Sequence, residues 1–502
     1  MFWKIISVFW VLWYLISRWK KRKIFRLAQQ LQSRNVCLPF IGHSYLFLGD
    51  DEDRMKALQR VGSEAIERGG LICHWQGSKL YIMVADAAAA EVILKCCLEK
   101  DDLTKYFKVL LGNGSVFAPV HIWRPRRKIL APIFSQKNLN SFVEVFSKQS
   151  NILANQLEST AGTGSFSIWK YLTIFTMDSV CETTLGIQVN AQLQPDQPFL
   201  KAFENCCRID AKRVCQPWLY SDIVFKLFCN RTFKLHTFSK NLIWEFMDKV
   251  ILSKWEALKR NKKDDTEIKS LKTFLELLME SPGNDGGFTN EELREETLVL
   301  VLAGTDTSAV GVAFTCVLLS RHIDVQDKIY EELQDIFGDS DRAVASEDLP
   351  QMKYLEAVIK ETLRLYPPVP FIIRKVEQDL NLPSGVTLVE GCGVFVSIWS
   401  IHRNPQYWGS DAGSFRPERF LESPLKHPAA FLPFSQGPRN CLGYQYAMMS
   451  MKTALATLLR RYRIQPAVTT NLKELRTKQL RVKFDIMMKD VDNFEIQLDL
   501  RK

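Results

Sequence analysis

Phe434-Ser435-Gln436-Gly437-Pro438-Arg439-Asn440-Cys441-Leu442-Gly443 is the stretch on which the reading of this chain turns. A cysteine stands between two glycines, an arginine precedes it by two positions, and a helical pattern opens at Tyr444. Backbone amides at a helix start and a nearby positive charge both favour thiolate over thiol. A thiolate serves as a nucleophile or as a metal ligand. A catalytic cysteine needs a base, and none of the seven histidines stands in a recognisable cysteine-protease context, so ligation is the better reading of Cys441. The other cysteines differ from it. Twelve in 502 residues are too few for a disulfide scaffold, none is spaced Cys-x-x-Cys, and most read as small buried apolar residues of a protein in a reducing compartment.

Two upstream segments give that cysteine its company. Thr289 and Glu292 form a capping-box pair, after which an apolar pattern runs from Leu298 to about Leu319, predicting a helix of roughly thirty residues that crosses the interior. In its middle lies Ala303-Gly304-Thr305-Asp306-Thr307. A carboxylate beside hydroxyls is costly there unless something uses it, and Gly304 allows close approach of a bulky group. The bland alternative is a Thr307 bonded back to the previous turn and an Asp306 reaching solvent or a salt bridge. The second segment, Lys360 to Pro368, places Glu361 and Arg364 on one helical face before two prolines stop the helix. Alone that pair is weak.

Composition bounds the rest. The chain is 46% hydrophobic with a formal charge of +10, which excludes disorder and multiple membrane spans. Seven of the 66 bases lie in the first 26 residues with no acid among them, leaving 59 bases against 56 acids, or +3, for the remainder. A nucleic-acid binder carries its surplus on the folded body, so none is expected as a partner. Residues 1–19 are almost continuously apolar and about 28 Å long as a helix, and the bases at 18–23 follow the apolar run instead of preceding it. The expectation is a single uncleaved signal anchor over 1–19, a basic linker over 20–38, a body from 39 to 502 on the cytosolic face, and contact with membrane lipid. Helical periodicity dominates that body. Strand-like runs are confined to Leu80–Val84, Phe371–Val376 and Val394–Ile398, so the fold class is mainly α with small β-sheets, α+β.

Together the three segments resemble the cytochrome P450 family of haem-thiolate monooxygenases over residues 30–500. The Phe-x-x-Gly-x-Arg-x-Cys-x-Gly signature is complete, and Cys441 follows Ala303 by 138 positions (441 − 303) and Glu361 by 80 (441 − 361), in the family's order. The resemblance implies a single large haem-binding domain in which Cys441 is the axial ligand of the iron, Phe434 packs over the proximal face, and Gly443 belongs to the turn that tunes the sulfur. Arg439, Trp123, Arg127 and Arg374 would bind the haem propionates. Asp306 and Thr307 would deliver protons during oxygen activation, with Ala303 and Gly304 leaving room above the haem. Glu361, Arg364 and Arg419 would form a structural network. Pro125, between Trp123 and Arg127, argues against an uninterrupted helix there.

The signature and Arg403-Asn404-Pro405-x-x-Trp408 look most similar to the microsomal clade that contains fatty-acid omega-hydroxylases and many insect enzymes. Several members esterify haem through a glutamate where this chain has Ala303, so non-covalent haem is expected. The resemblance further implies residence in the endoplasmic reticulum membrane and electrons from NADPH, delivered indirectly by NADPH-cytochrome P450 reductase docking near Arg124, Arg126, Lys128 and Lys452. It implies an apolar small-molecule substrate (a fatty acid, a steroid- or terpenoid-like compound, or a xenobiotic) against Phe107, Leu110, Phe117, Phe371 and Ile372. Rival readings are a haem sensor or carrier without turnover, which has no need of the Asp306–Thr307 pair, and a reductase-independent haem-thiolate isomerase or dehydratase.

Overall fold

The computed structural model of the chain describes residues 19, 21–106, 108–215, 219, 221–261, 272–281, 287–467, 472–485 and 487–501. The proposed anchor therefore lies outside the described residues except for Trp19, and so does Phe107. The chain divides into two compact units, each assembled from discontinuous stretches. The first comprises the stretch ending at Asp101 with Phe371–Gly409 and Leu425–Arg439; the second comprises Asp102–Pro370, Ser410–Pro424 and the stretch from Asn440 onward. The expected body over 39–502 is shared between them.

The first unit is built on a four-stranded sheet. Helix α1 (Asp51–Glu67) starts at Asp50, whose side chain accepts from the amides of Glu52 and Asp53 while Asp53 reaches back to the cap amide. Strands β1 (Leu71–Gln76) and β2 (Lys79–Val84) form a hairpin closed at Gly77, whose φ of +58° suits a two-residue turn. Helix α2 (Ala87–Cys96) follows, capped by Asp86 on the Ala89 amide. The sheet is completed from far along the chain by β3 (Phe371–Lys375) and β4 (Gly393–Ser397) in the order β1-β2-β4-β3, with β2 and β4 parallel and the other pairs antiparallel. All five residues of β4 are buried, as in a strand covered on both faces. The three strands expected from sequence fall within a residue of β2, β3 and β4.

The second unit is helical. Its main helices are α3 (Val120–Ile133), α4 (Gln136–Leu157), α5 (Trp169–Leu185), α6 (Pro198–Cys215), α7 (Asn230–Asn261), α8 (Asn290–Arg321), α9 (Lys353–Leu365) and α10 (Tyr444–Arg461). The long apolar helix is α8, 32 residues with the Thr289–Glu292 capping box in place. It packs against α5, α7, α9 and α10 and against a small hairpin of β5 (Val482–Asp485) and β6 (Met487–Asp490). Glycines make the close approaches possible: a Cβ on Gly311 would stand 2.6 Å from the Met451 sulfur of α10. Helix α3 runs through Pro125 without a break, contrary to the sequence expectation. The proline sits in the second turn and removes the bond to the His121 carbonyl, and Pro132 near the other end removes the one to the Lys128 carbonyl, while the turns between them keep the helix continuous.

Candidate functional site

Cys441 opens the stretch that leads into α10. It is an exposed free thiol, whereas Cys73, Cys97, Cys181, Cys206, Cys316 and Cys392 are buried, and burial pushes the Cys316 thiol up to about 12. The eleven cysteines whose side chains are described are all unpaired. The surroundings of Cys441 still desolvate the sulfur and raise its pKa on balance, against two opposing influences: the Gly443 amide, which donates to it, and the positive charge of Arg127. A metal cation would reverse that balance, since the chain alone holds the sulfur mostly as thiol. Arg127, projected from α3, donates through Nη1 to the Asn440 carbonyl at 2.8 Å and through Nη2 to the Asn440 side chain. It thus braces the residue preceding Cys441, a contact that the motif spacing did not reveal. Trp123, one turn earlier on α3, is buried with 4% exposure.

The middle of α8 presents a different surface. Most of the helix is buried, but Leu302, Gly304, Asp306 and Thr307 are half-buried and Ala303 is exposed, so one face is left uncovered there. Thr307 donates its hydroxyl proton to the Ala303 carbonyl at 2.6 Å, as the bland reading of a mid-helix threonine expected; its oxygen keeps lone pairs with which to accept. Among the described residues the Asp306 side chain has no hydrogen-bond partner, and burial raises its pKa, with the charge of Lys489 on β6 opposing that rise. A Cβ on Gly304 would meet Cγ2 of Val180 at 2.9 Å, so this glycine also lets α5 pack against α8.

In the first unit, cations gather. Arg374 in β3 is 2% exposed, donates through Nη1 to the Ile373 carbonyl at 3.0 Å, and among the described residues has an Nε with no hydrogen-bond partner. Burial and the nearby Arg439 push its pKa down to about 10. Burial also brings Arg439 to about 10, against the pull of Glu99 and Glu377. Sequence reasoning missed the third member. The Lys375 amide donates to the Glu99 carbonyl at 3.1 Å, and Glu377 takes the amides of Leu98 and Glu99 at 3.0 and 3.1 Å, which sets Lys100 beside these arginines. Burial and both guanidinium charges hold Lys100 well below the usual lysine range. A buried guanidinium nitrogen without a partner, amid mutually repelling cations, fits a ligand bearing carboxylates, and haem has two. Gly437 keeps the signature loop against α2: its φ is +77° and a Cβ would meet the Leu94 carbonyl oxygen at 2.5 Å. Phe434 of the same loop is half-buried.

The Glu361 network is an internal brace. Glu361 and Arg364 on α9 are fully buried and joined by two hydrogen bonds of 2.7 and 2.8 Å, and Arg419 adds a third at 3.0 Å. Two corrections concern the basic patch. Arg126 is buried against Glu295 and Glu296 at 3.1 and 2.9 Å, and Lys452 is buried, donating to the Leu349 carbonyl at 2.8 Å and paired with Glu356. Both lie among core positions of their helices, where a long charged side chain reaches an internal carboxylate. Only Arg124 and Lys128 of the four are exposed. Among the apolar candidates, Leu110 is buried at 3% exposure and belongs to the packing of its own unit, while Phe117, Phe371 and Ile372 are half-buried.

A family model described as Cytochrome P450 matches residues 36–488. The chain is 32% identical to "Cytochrome P450 4V2" of Mus musculus over 473 residues, 92% of this chain and 88% of that protein. It is 32% identical to "Cytochrome P450 4V2" of Pongo abelii, over 85% of this chain and 83% of that protein. It is likewise 32% identical to "Cytochrome P450 4c3" of Drosophila melanogaster, over 86% of this chain and 83% of that protein. Vertebrate and insect relatives thus stand side by side, as the clade suggested by the sequence requires.

Proposed function

The chain belongs to the cytochrome P450 family of haem-dependent oxidoreductases, and on that premise we propose that it hydroxylates an apolar organic substrate with NADPH-derived electrons supplied by a flavoprotein reductase. The observation that carries this reading is Cys441: an accessible thiol with an amide donor at its sulfur and a cation bracing its loop, followed by a helix that packs on α8. When bound, haem supplies the reductive activation of dioxygen and insertion of one of its atoms into a substrate C–H bond. Cys441 holds the iron as thiolate, and Gly443 and Arg127 stabilise the negative sulfur. Arg374 and Arg439, with Trp123 and Arg127, hold the propionates, and Phe434 covers the thiolate side. Ala303 offers no carboxylate for an ester, so the haem is held non-covalently.

Protons are the chain's own part of the reaction. Thr307, its hydroxyl proton committed to Ala303, accepts a hydrogen bond from a proton donor on the uncovered face, and Asp306 relays protons between that face and solvent. The apolar character of Phe117, Phe371 and Ile372 suits an apolar substrate. The expected anchor places the enzyme in the endoplasmic reticulum membrane with its catalytic part in the cytosol. Exposed Arg124 and Lys128 are candidates for reductase docking. The test is turnover of the reductase-coupled enzyme: Thr307→Ala should lower product formed per NADPH consumed several-fold while NADPH consumption persists. Full coupling in that variant would remove Thr307 from proton delivery.

A further inference from the structure

Glu295, Val299, Ala303 and Thr307 fall on successive turns of α8, so the four positions share one side of the helix. Ala303 is exposed and Thr307 half-buried, whereas Glu295 and Val299 are covered. What covers them is the 112–117 loop, which leads toward α3. A Cβ on Gly112, whose φ is +54°, would collide with the Glu295 carboxylate; one on Gly114 would collide with Val299 and stand 2.7 Å from the Glu295 carbonyl oxygen. The loop therefore lies directly on α8 one turn before Ala303, and it ends the uncovered face on that side. Just past the second glycine come Val116, exposed, and Phe117, half-buried.

Acids of α8 hold the loop in place. Glu296, 1% exposed, accepts from the Ser115 amide at 3.2 Å, from the Ser115 hydroxyl at 2.9 Å and from Arg126 Nη1 at 2.9 Å. Glu295 accepts from the Asn113 amide at 2.7 Å, and Arg126 donates to the Asn113 carbonyl at 2.8 Å. Before the loop, the Trp244 indole of α7 donates to the Leu110 carbonyl at 3.1 Å. Glu292 braces Arg126 through Nη2 at 3.1 Å and otherwise bonds to Thr289. Burial raises the Glu296 pKa, and Arg126 and the Ser115 donors oppose that rise. A buried carboxylate bound in this way is costly to pull off its donors. We propose that Glu296 is a specificity-determining positioning residue: through Ser115 it fixes the 112–117 loop as an end wall on α8, and that wall limits how long an apolar chain lying along the uncovered face can be.

This inference rests on the reading that the uncovered face of α8 takes the substrate, and the experiment separates the two. The probes are N-alkylimidazoles from butyl to dodecyl, whose ring nitrogen binds haem iron while the chain samples the apolar space beside it. Affinity is read from the shift of the haem absorption band in the haem-loaded full chain. In the parent it should rise about fourfold per added methylene, the worth of burying one, and stop rising where the chain meets the wall. Ser115→Ala and Glu296→Gln should bind the short chains as the parent does and the longest about tenfold more tightly, the worth of roughly two further buried methylenes. Glu292→Gln, which can still cap α8, should keep the parental break. A parent whose affinity climbs without a break would overturn the role of Glu296, and so would uniform weakening of every chain length in both variants. If Ala303→Phe, which adds bulk to the uncovered face itself, leaves every probe bound as before, that face takes no ligand and both readings fall. If Ala303→Phe weakens binding while Ser115→Ala and Glu296→Gln keep the parental break, the role of Glu296 is overturned and that of the face stands.

Discussion

Replacing Glu361 by alanine should destabilise the folded chain by about 3–5 kcal/mol, the range for removing one partner of a buried ion pair. The structure says where that cost arises. The carboxylate accepts from Arg364 Nε and Nη2 at 2.7 and 2.8 Å, from Arg419 Nε at 3.0 Å and from the Arg416 amide at 2.8 Å. Without it Arg419 still has Asp411 at 3.2 Å, while Arg364, fully buried, loses two charge-assisted bonds and keeps the neutral carbonyls of Ala412 and Ser414 at 2.6 and 3.1 Å. Loss of the carboxylate beside a buried guanidinium is therefore the dominant cost. Arg419→Met, which leaves the Glu361–Arg364 pair intact, should cost less, about 1–3 kcal/mol, the scale of lost charged hydrogen bonds. The assay is the denaturant midpoint of the haem-loaded protein followed by far-ultraviolet circular dichroism, with the slope checked for constancy. A cost for Glu361→Ala below about 1 kcal/mol, or a larger cost for Arg419→Met than for Glu361→Ala, would refute the reasoning.

Gly304→Ala should destabilise by about 1–3 kcal/mol through the clash with Val180, despite alanine's better helix propensity, and Val180→Ala should recover most of it. If Gly304→Ala instead keeps its stability and blocks substrate binding, the packing role falls and the glycine only clears the uncovered face. His74 is buried with both ring nitrogens unpartnered, near Phe47, Tyr81 and Phe395, and burial lowers its pKa from 6.5 to about 3. It folds neutral, so its contribution is fully present above the unfolded value of 6.5 and is lost as pH falls toward 3, by about 1.4 kcal/mol per unit. His74→Phe should flatten the decline of the unfolding midpoint below that pH; an unchanged slope would count against a neutral buried imidazole.

Features set by contiguous residues were legible in the sequence. The capping box announced the start of α8, short apolar runs rich in β-branched residues marked β2, β3 and β4, and the spacing of glycines and arginine around Cys441 singled it out from eleven other cysteines. What lay across a helix was not. Arg126 and Lys452 look like surface bases because nothing local shows Glu295, Glu296 and Glu356 waiting for them inside. The packing of Gly304 against Val180, 124 positions earlier (304 − 180), has no local sign either. The hairpin that packs on α8 comes from 482–490, far beyond Asp306 in the sequence. Charge and burial are properties of the assembled packing, and a single sequence discloses them only where the chain meets itself nearby.

The measurement that tests the central claim most directly is the reduced carbon monoxide difference spectrum of the full chain loaded with haem, alongside its Cys441→Ser variant. Thiolate ligation by Cys441 predicts the red-shifted band of a haem-thiolate complex in the parent and its loss in the variant. A parental spectrum of the histidine-ligated type, or a Cys441→Ser protein that keeps the thiolate band, would contradict it.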